Sequence, residues 1–176
     1  MKYPLSILSI LLSAISYAFA NDPRPPSLVD YPGFLKTSQV IEAYRAERLV
    51  DLDTFLEMAQ DDQTIILDTR SKLAYDRKHI QGAIHLNFSD FTDEKLAKVI
   101  PSKETRVLIY CNNNIANDPA NFASKRITVA LNIPTFINLY EYGYRNIYEL
   151  SELIPADDPK LIFEGTTLDL PSSLKL

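Results

Sequence analysis

Residues 64–87 read "TIILDTRSKLAYDRKHIQGAIHLN", and their pattern decides the fold class. "TIILD" (64–68) is a short β-branched apolar run that ends on an acid, the look of a strand buried on both faces. A polar stretch with helical character follows over about 71–77, and "GAIHLN" (82–87), entered through Gly82, is a second strand candidate. Strand, helix and strand in so few residues predict parallel pairing.

Downstream, the rhythm continues. "RVLIYC" (106–111) is the strongest strand candidate and "RNIYEL" (145–150) the fourth. Helical segments are expected over about 92–100, 119–130 and 135–142. Upstream, Val40, Ile41 and Tyr44 recur at helical spacing between Thr37 and Glu47, "RLVD" suits a short strand, and Asp53 is the expected cap of a helix over 54–60. The expected fold is α/β, a central, mainly parallel sheet with helices on both faces.

The first twenty residues, "MKYPLSILSILLSAISYAFA", place Lys2 before an apolar core and end on Ala18, Phe19 and Ala20. They predict a secretory signal peptide (1–20) cleaved before Asn21; the run is short for a membrane span and carries four serines. Export is therefore expected, to the periplasm in a Gram-negative bacterium and otherwise to the medium. No integral membrane association is expected after cleavage. An extended lead-in (21–36) with four prolines, one domain (37–154) and a tail (155–176) follow.

Without the leader, which holds one Lys, the remaining residues carry 17 basic and 23 acidic side chains, so the formal charge of −5 becomes −6. Nucleic acid is a poor partner for such a surface. Cys111 is the sole cysteine, and with His79 and His85 it offers no zinc-ligand spacing, so no metal or cofactor is expected.

Cys111 stands at the carboxyl end of a strand, where open α/β sheets bind their ligands, and so does Asp68. It opens the loop Asn112, Asn113, Asn114, Ile115, Ala116, Asn117, after which Asp118 and Pro119 read as a helix start. A thiol becomes a nucleophile when backbone N–H groups and a helix N-terminus stabilise its anion. Asparagine tolerates positive φ, so three in a row suit a nest of converging N–H groups. They equally suit a polar surface turn, and from these residues alone both readings stand.

The block "ILDTRSKLAYDRKHIQGAIHLN", then "RVLIYC" and "LYEYGYRNIYEL", resembles the rhodanese-like domain family. Asp68 and Arg70, Tyr75, the run His79 to Ala83, Cys111, and Gly143, Tyr144, Asn146, Tyr148 and Leu150 carry the resemblance, over about residues 48–154. It implies a small α/β domain whose cysteine, here Cys111, takes sulfane sulfur from a small donor such as thiosulfate. The persulfide then passes to cyanide or a thiol, including a protein acceptor. Asp68 and Arg70 are expected to pair and brace the strand end near the loop, and His79 to order the turn into "GAIHLN", rather than take part in chemistry.

The chain departs from the family in three places. Residues 112–118 lack the arginine or lysine and the glycine often found in the loop, and Ser151 and Glu152 replace a Gly-Gly. The seventh residue counted from Cys111 is Asn117, so no arginine grips phosphate and phosphatase chemistry is disfavoured. Residues 119–134 lengthen the path to Gly143 and are expected to add a helix or lid, with Phe122, Ile127, Val129 and Leu131 as packing candidates; Lys125 and Arg126 are the candidate cations to reach back towards the cysteine. Sulfurtransferase chemistry leads, with a non-catalytic binding module or a thiol-redox protein as the alternatives.

Overall fold

The computed structural model describes residues 26–167, so the expected signal peptide, the start of the expected lead-in and residues 168–176 lie outside the described residues. In chain order the elements are α1 (Tyr31–Ala46), β1 (Leu49–Val50), α2 (Leu52–Met58), β2 (Thr64–Asp68), α3 (Lys72–Arg77), β3 (His79–Ile80) and β4 (Ile84–His85). Then come α4 (Asp93–Val99), β5 (Arg106–Tyr110), β6 (Ile115–Ala116), α5 (Asn132–Glu141), β7 (Ile147–Leu150), β8 (Ile154–Pro155) and β9 (Phe163–Glu164). No described helix is long and apolar enough to cross a membrane.

Five parallel strands form the sheet in the order β1-β7-β5-β2-β4. On β5, Val107 and Ile109 enter one core with Ile41 of α1, Leu96 of α4 and Phe136 of α5. Leu108 and Tyr110 enter the other, with Phe55 of α2, Ile115 and Phe122. Alternate side chains of one buried strand thus serve opposite layers, which is why these runs are apolar throughout.

Four expectations are corrected. The lead-in is not extended to residue 36, because α1 starts at Tyr31; Pro32 falls in the first turn, where its missing N–H costs nothing. Asp51, not Asp53, caps α2 by accepting the Thr54 N–H at 2.8 Å, while Asp53 pairs with Lys160 at 2.6 Å. Residues 119–130 hold no α-helix. Asp118 closes a single turn over Phe122, and only a 3-10 turn (Ile127–Val129) follows.

The fourth correction concerns the boundary at residue 154. β8 pairs with β6, and β9 pairs antiparallel with β3, so the described part of the tail is built into the domain. Gly165 makes this approach feasible: a Cβ there would sit 2.5 Å from the Arg77 carbonyl oxygen, and its φ is +133°.

Candidate active site

Cys111 follows β5 in extended conformation and is 1% exposed. The chain then turns through one 3-10 turn, Asn112–Asn114, with negative φ throughout; among described non-glycine residues only Asn117 has positive φ, 64°. The nest of left-handed asparagines, one of the two readings the sequence left open, does not form. A 3-10 turn closes through the Asn114 N–H to the Cys111 carbonyl at 3.1 Å, which needs only right-handed backbone.

The three asparagines divide their tasks. Asn114 is buried: its Oδ1 accepts from the Cys111 N–H at 2.8 Å, and its Nδ2 donates to the Leu150 and Glu152 carbonyls at 2.8 and 3.1 Å. It staples the end of β5 to the end of β7. Asn113 bonds both backbone groups of Lys125, accepting at 2.9 Å and donating at 2.8 Å. Asn112 keeps a buried Oδ1 without a partner and faces a different hollow, beside Arg77 and Lys125.

Why the segment after Asp118 stays non-helical follows from these bonds. Asn113 holds Lys125, and Arg70 holds the Asn121 carbonyl at 3.1 Å, so backbone groups a helix would need are taken by side chains from elsewhere. Lys78 pins Asp118 at 2.9 Å. Phe122 is buried beneath the Arg70 guanidinium, 4.4 Å from its ring centre, whereas Ile127 and Val129 are exposed. Of the four packing candidates, only Phe122 is a core residue; Leu131 is half-buried.

Ile115 and Ala116 turn away into β6, and Asn117 ends that pairing. The thiol sulfur is instead faced by backbone N–H groups from two segments: Asn113 in the turn, and Leu131 and Asn132 at the start of α5. The helix that points at the cysteine is therefore α5, not one starting at Asp118. Burial pushes the Cys111 thiol above the ordinary range; those N–H groups pull it down and nearby Glu149 pushes it up, and burial prevails.

A cleft of about 180 Å³ opens beside Cys111, with Arg45, Leu49, Ile127, Asn132, Ile133 and Glu149 in its wall. Arg45 reaches in from α1 and grips Glu149 with Nε and Nη2 at 2.7 and 2.5 Å. Asn132 Nδ2 bridges Glu149 and Asn114 at 3.3 and 3.0 Å. A continuous polar chain thus runs from Arg45 to the Cys111 N–H. Nothing in the sequence marks Arg45, Asn132 and Glu149 as site residues, and Leu131 stands out only as a packing candidate. The one local signal was Pro134 in the first turn of α5, a mark of a helix start.

Asp68 and Arg70 lie on the other side of β5, buried and paired at 2.6 Å. Tyr110 donates to Asp68 and accepts from the Ile80 N–H at 3.1 Å. Arg70 also donates to the Lys78 carbonyl at 2.7 Å. None of these residues lines the Cys111 cleft. His79 stacks on Tyr75, donates Nδ1–H to the Tyr75 carbonyl at 2.7 Å and places Nε2 3.6 Å from Glu164, also outside the cleft. His85 donates Nε2–H to the Arg70 carbonyl at 2.9 Å. Among the described residues no group of three His, Cys, Asp or Glu is placed to hold a metal ion.

Several solved structures are similar to this chain at low identity. The BH2092 protein from Bacillus halodurans is 18% identical, with 68% of this chain and 74% of that one covered and a TM-score of 0.44. A rhodanese with anions from E. coli is 22% identical, with 58% and 99% covered and a TM-score of 0.37. The rhodanese-like domain of the Alr3790 protein from Anabaena is 18% identical, with 71% and 84% covered and a TM-score of 0.47. A comparison with curated proteins finds no match. The Rhodanese-like domain family matches residues 51–152, a span from the cap of α2 past the end of β7 that contains Cys111, and this chain belongs to that family.

Proposed function

We propose that the protein is a sulfurtransferase that carries sulfane sulfur as a persulfide on Cys111. The observation that supports this most is the convergence of the Asn113, Leu131 and Asn132 N–H groups on the thiol sulfur beside an open cleft. Such donors stabilise an anionic sulfur without reorganising. In the first half-reaction the Cys111 thiolate attacks the sulfane sulfur of a donor, the donor's S–S bond breaks, and its electron pair leaves with the departing anion. In the second, a thiolate or cyanide attacks the outer sulfur and Cys111 leaves as thiolate. The leader-like N-terminus favours a site of action outside the cytoplasm.

The raised thiol favours a second reading, a binding module with an inert cysteine, because little thiolate is present at neutral pH. Intact-mass measurement after incubation with thiosulfate or an organic persulfide separates the two. Transfer requires a gain of one sulfur that Cys111→Ser abolishes. No gain with either donor defeats the sulfurtransferase reading. Mixed disulfides trapped on Cys111 would mark thiol-redox exchange instead.

A further inference from the structure

We infer that Arg45 is the substrate-positioning cation of the Cys111 cleft, selecting a sulfane donor that carries a carboxylate. The inference rests on the sulfurtransferase reading and names its donor class. The turn after Cys111 supplies no cation, and the Lys125 backbone is held by Asn113 in a segment that also borders the other hollow. In the cleft wall, one guanidinium is Arg45's, reached from α1 and 66 positions before the cysteine.

Its orientation is fixed by Glu149, whose side chain is 7% exposed against 31% for Arg45. The guanidinium is a planar five-donor fork. Nε and Nη2 serve Glu149, and Nη1 has no protein partner among the described residues. The end edge, formed by Nη1 and the second Nη2 hydrogen, has the geometry to take another carboxylate bidentately.

Charge and shape narrow the donor further. Glu149 cancels most of Arg45's field and faces the sulfur, so a compact dianion gains little at this site. A single carboxylate separated from the reacting sulfur by a short organic chain fits better. Leu49, Ile127 and Ile133 give that chain apolar wall, and about 180 Å³ suffices for a few heavy atoms. The step balances: Cys111–S⁻ attacks the outer sulfur of R–S–SH, Cys111–S–SH forms, the donor S–S bond breaks, and RS⁻ leaves to take a proton.

Two donors with the same reacting bond test this: the persulfides of 3-mercaptopropionate and of 2-mercaptoethanol, with Cys111 loading followed by intact mass. The readout is the ratio of the two loading rates, in which general damage cancels. The native protein should favour the carboxylate donor by about tenfold. Arg45→Gln combined with Glu149→Gln, which leaves no buried unpaired carboxylate, should bring the ratio to about one; Arg45→Lys should retain part of it. A native ratio near one, or a preference that survives the double substitution, overturns the role of Arg45. Loading by thiosulfate but by neither organic persulfide overturns the inference alone; loading by none of the three overturns the sulfurtransferase reading, and the inference with it.

Discussion

Asn114 accepts the Cys111 backbone N–H at 2.8 Å while donating to Leu150 and Glu152, so one buried carboxamide ties the cysteine to the neighbouring strand. Asn132 reinforces it by donating to the same oxygen at 3.0 Å. The sulfur's position is therefore set by β5, β7 and α5 together.

Asn114→Ala should destabilise the protein by roughly 2–4 kcal/mol, because it leaves the Cys111 N–H and the Leu150 carbonyl buried without their partner. Asn114→Asp should be no better, since a carboxylate would then face two carbonyl oxygens. Urea unfolding measures both; a loss below about 0.5 kcal/mol for Asn114→Ala would show that the staple is not structural.

Cys111 should titrate above an ordinary cysteine, and two pH dependences follow. Alkylation by iodoacetamide should be slow at pH 7 and rise about tenfold per unit until the thiol ionises. The fold favours the neutral thiol, so this contribution to stability is complete below the unfolded-state pKa and disappears as pH rises through the folded-state value. Cys111→Ala should lack that alkaline loss. Fast alkylation with a midpoint below 7 would contradict the dominance of burial.

Breaking the Asp68–Arg70 pair should act at a distance from the sulfur. Arg70→Ala strands a fully buried carboxylate and releases the Asn121 carbonyl and the Phe122 ring. The expected cost is about 3–5 kcal/mol. At temperatures where the variant is still folded, trypsin should cut after Lys125 or Arg126 faster than in the native protein. Unchanged cleavage there would mean that Arg70 does not hold the segment after Asp118.

The sheet was legible in the sequence because its strands are dense β-branched runs with parallel spacing. β2 appears over the expected residues, and β5 differs only in ending at Tyr110. The site was legible at Cys111 and not around it. Asn112 to Asn114 look equivalent in the sequence, whether as a nest or as a polar turn, yet they differ because tertiary partners differ: Lys125 for Asn113, two carbonyls of the β7 end for Asn114. The helix expected at 119–130 satisfied local spacing, but side chains distant in sequence captured its backbone groups. Arg45 and Glu149 could not be assigned to the cysteine from a string in which they stand 104 positions apart.

Gly165→Ala tests whether the C-terminal segment belongs to the domain. The added methyl would meet the Arg77 carbonyl carbon at 2.7 Å and the Lys78 nitrogen at 2.8 Å, both backbone atoms that cannot swing aside. The φ of +133° adds strain that glycine alone avoids. Relief requires the segment to lift, which breaks the β3–β9 pair and the bonds from Thr166 and Thr167 to the Asp76 and Arg77 carbonyls. His79 would then lose its Glu164 neighbour, while the Cys111 cleft, on other elements, would stay intact. The substitution should cost about 1–3 kcal/mol and speed amide hydrogen exchange at Phe163 to Thr167, with sulfur loading of Cys111 unchanged. Native-like exchange in that segment would show that the approach to Arg77 is looser than 2.5 Å implies.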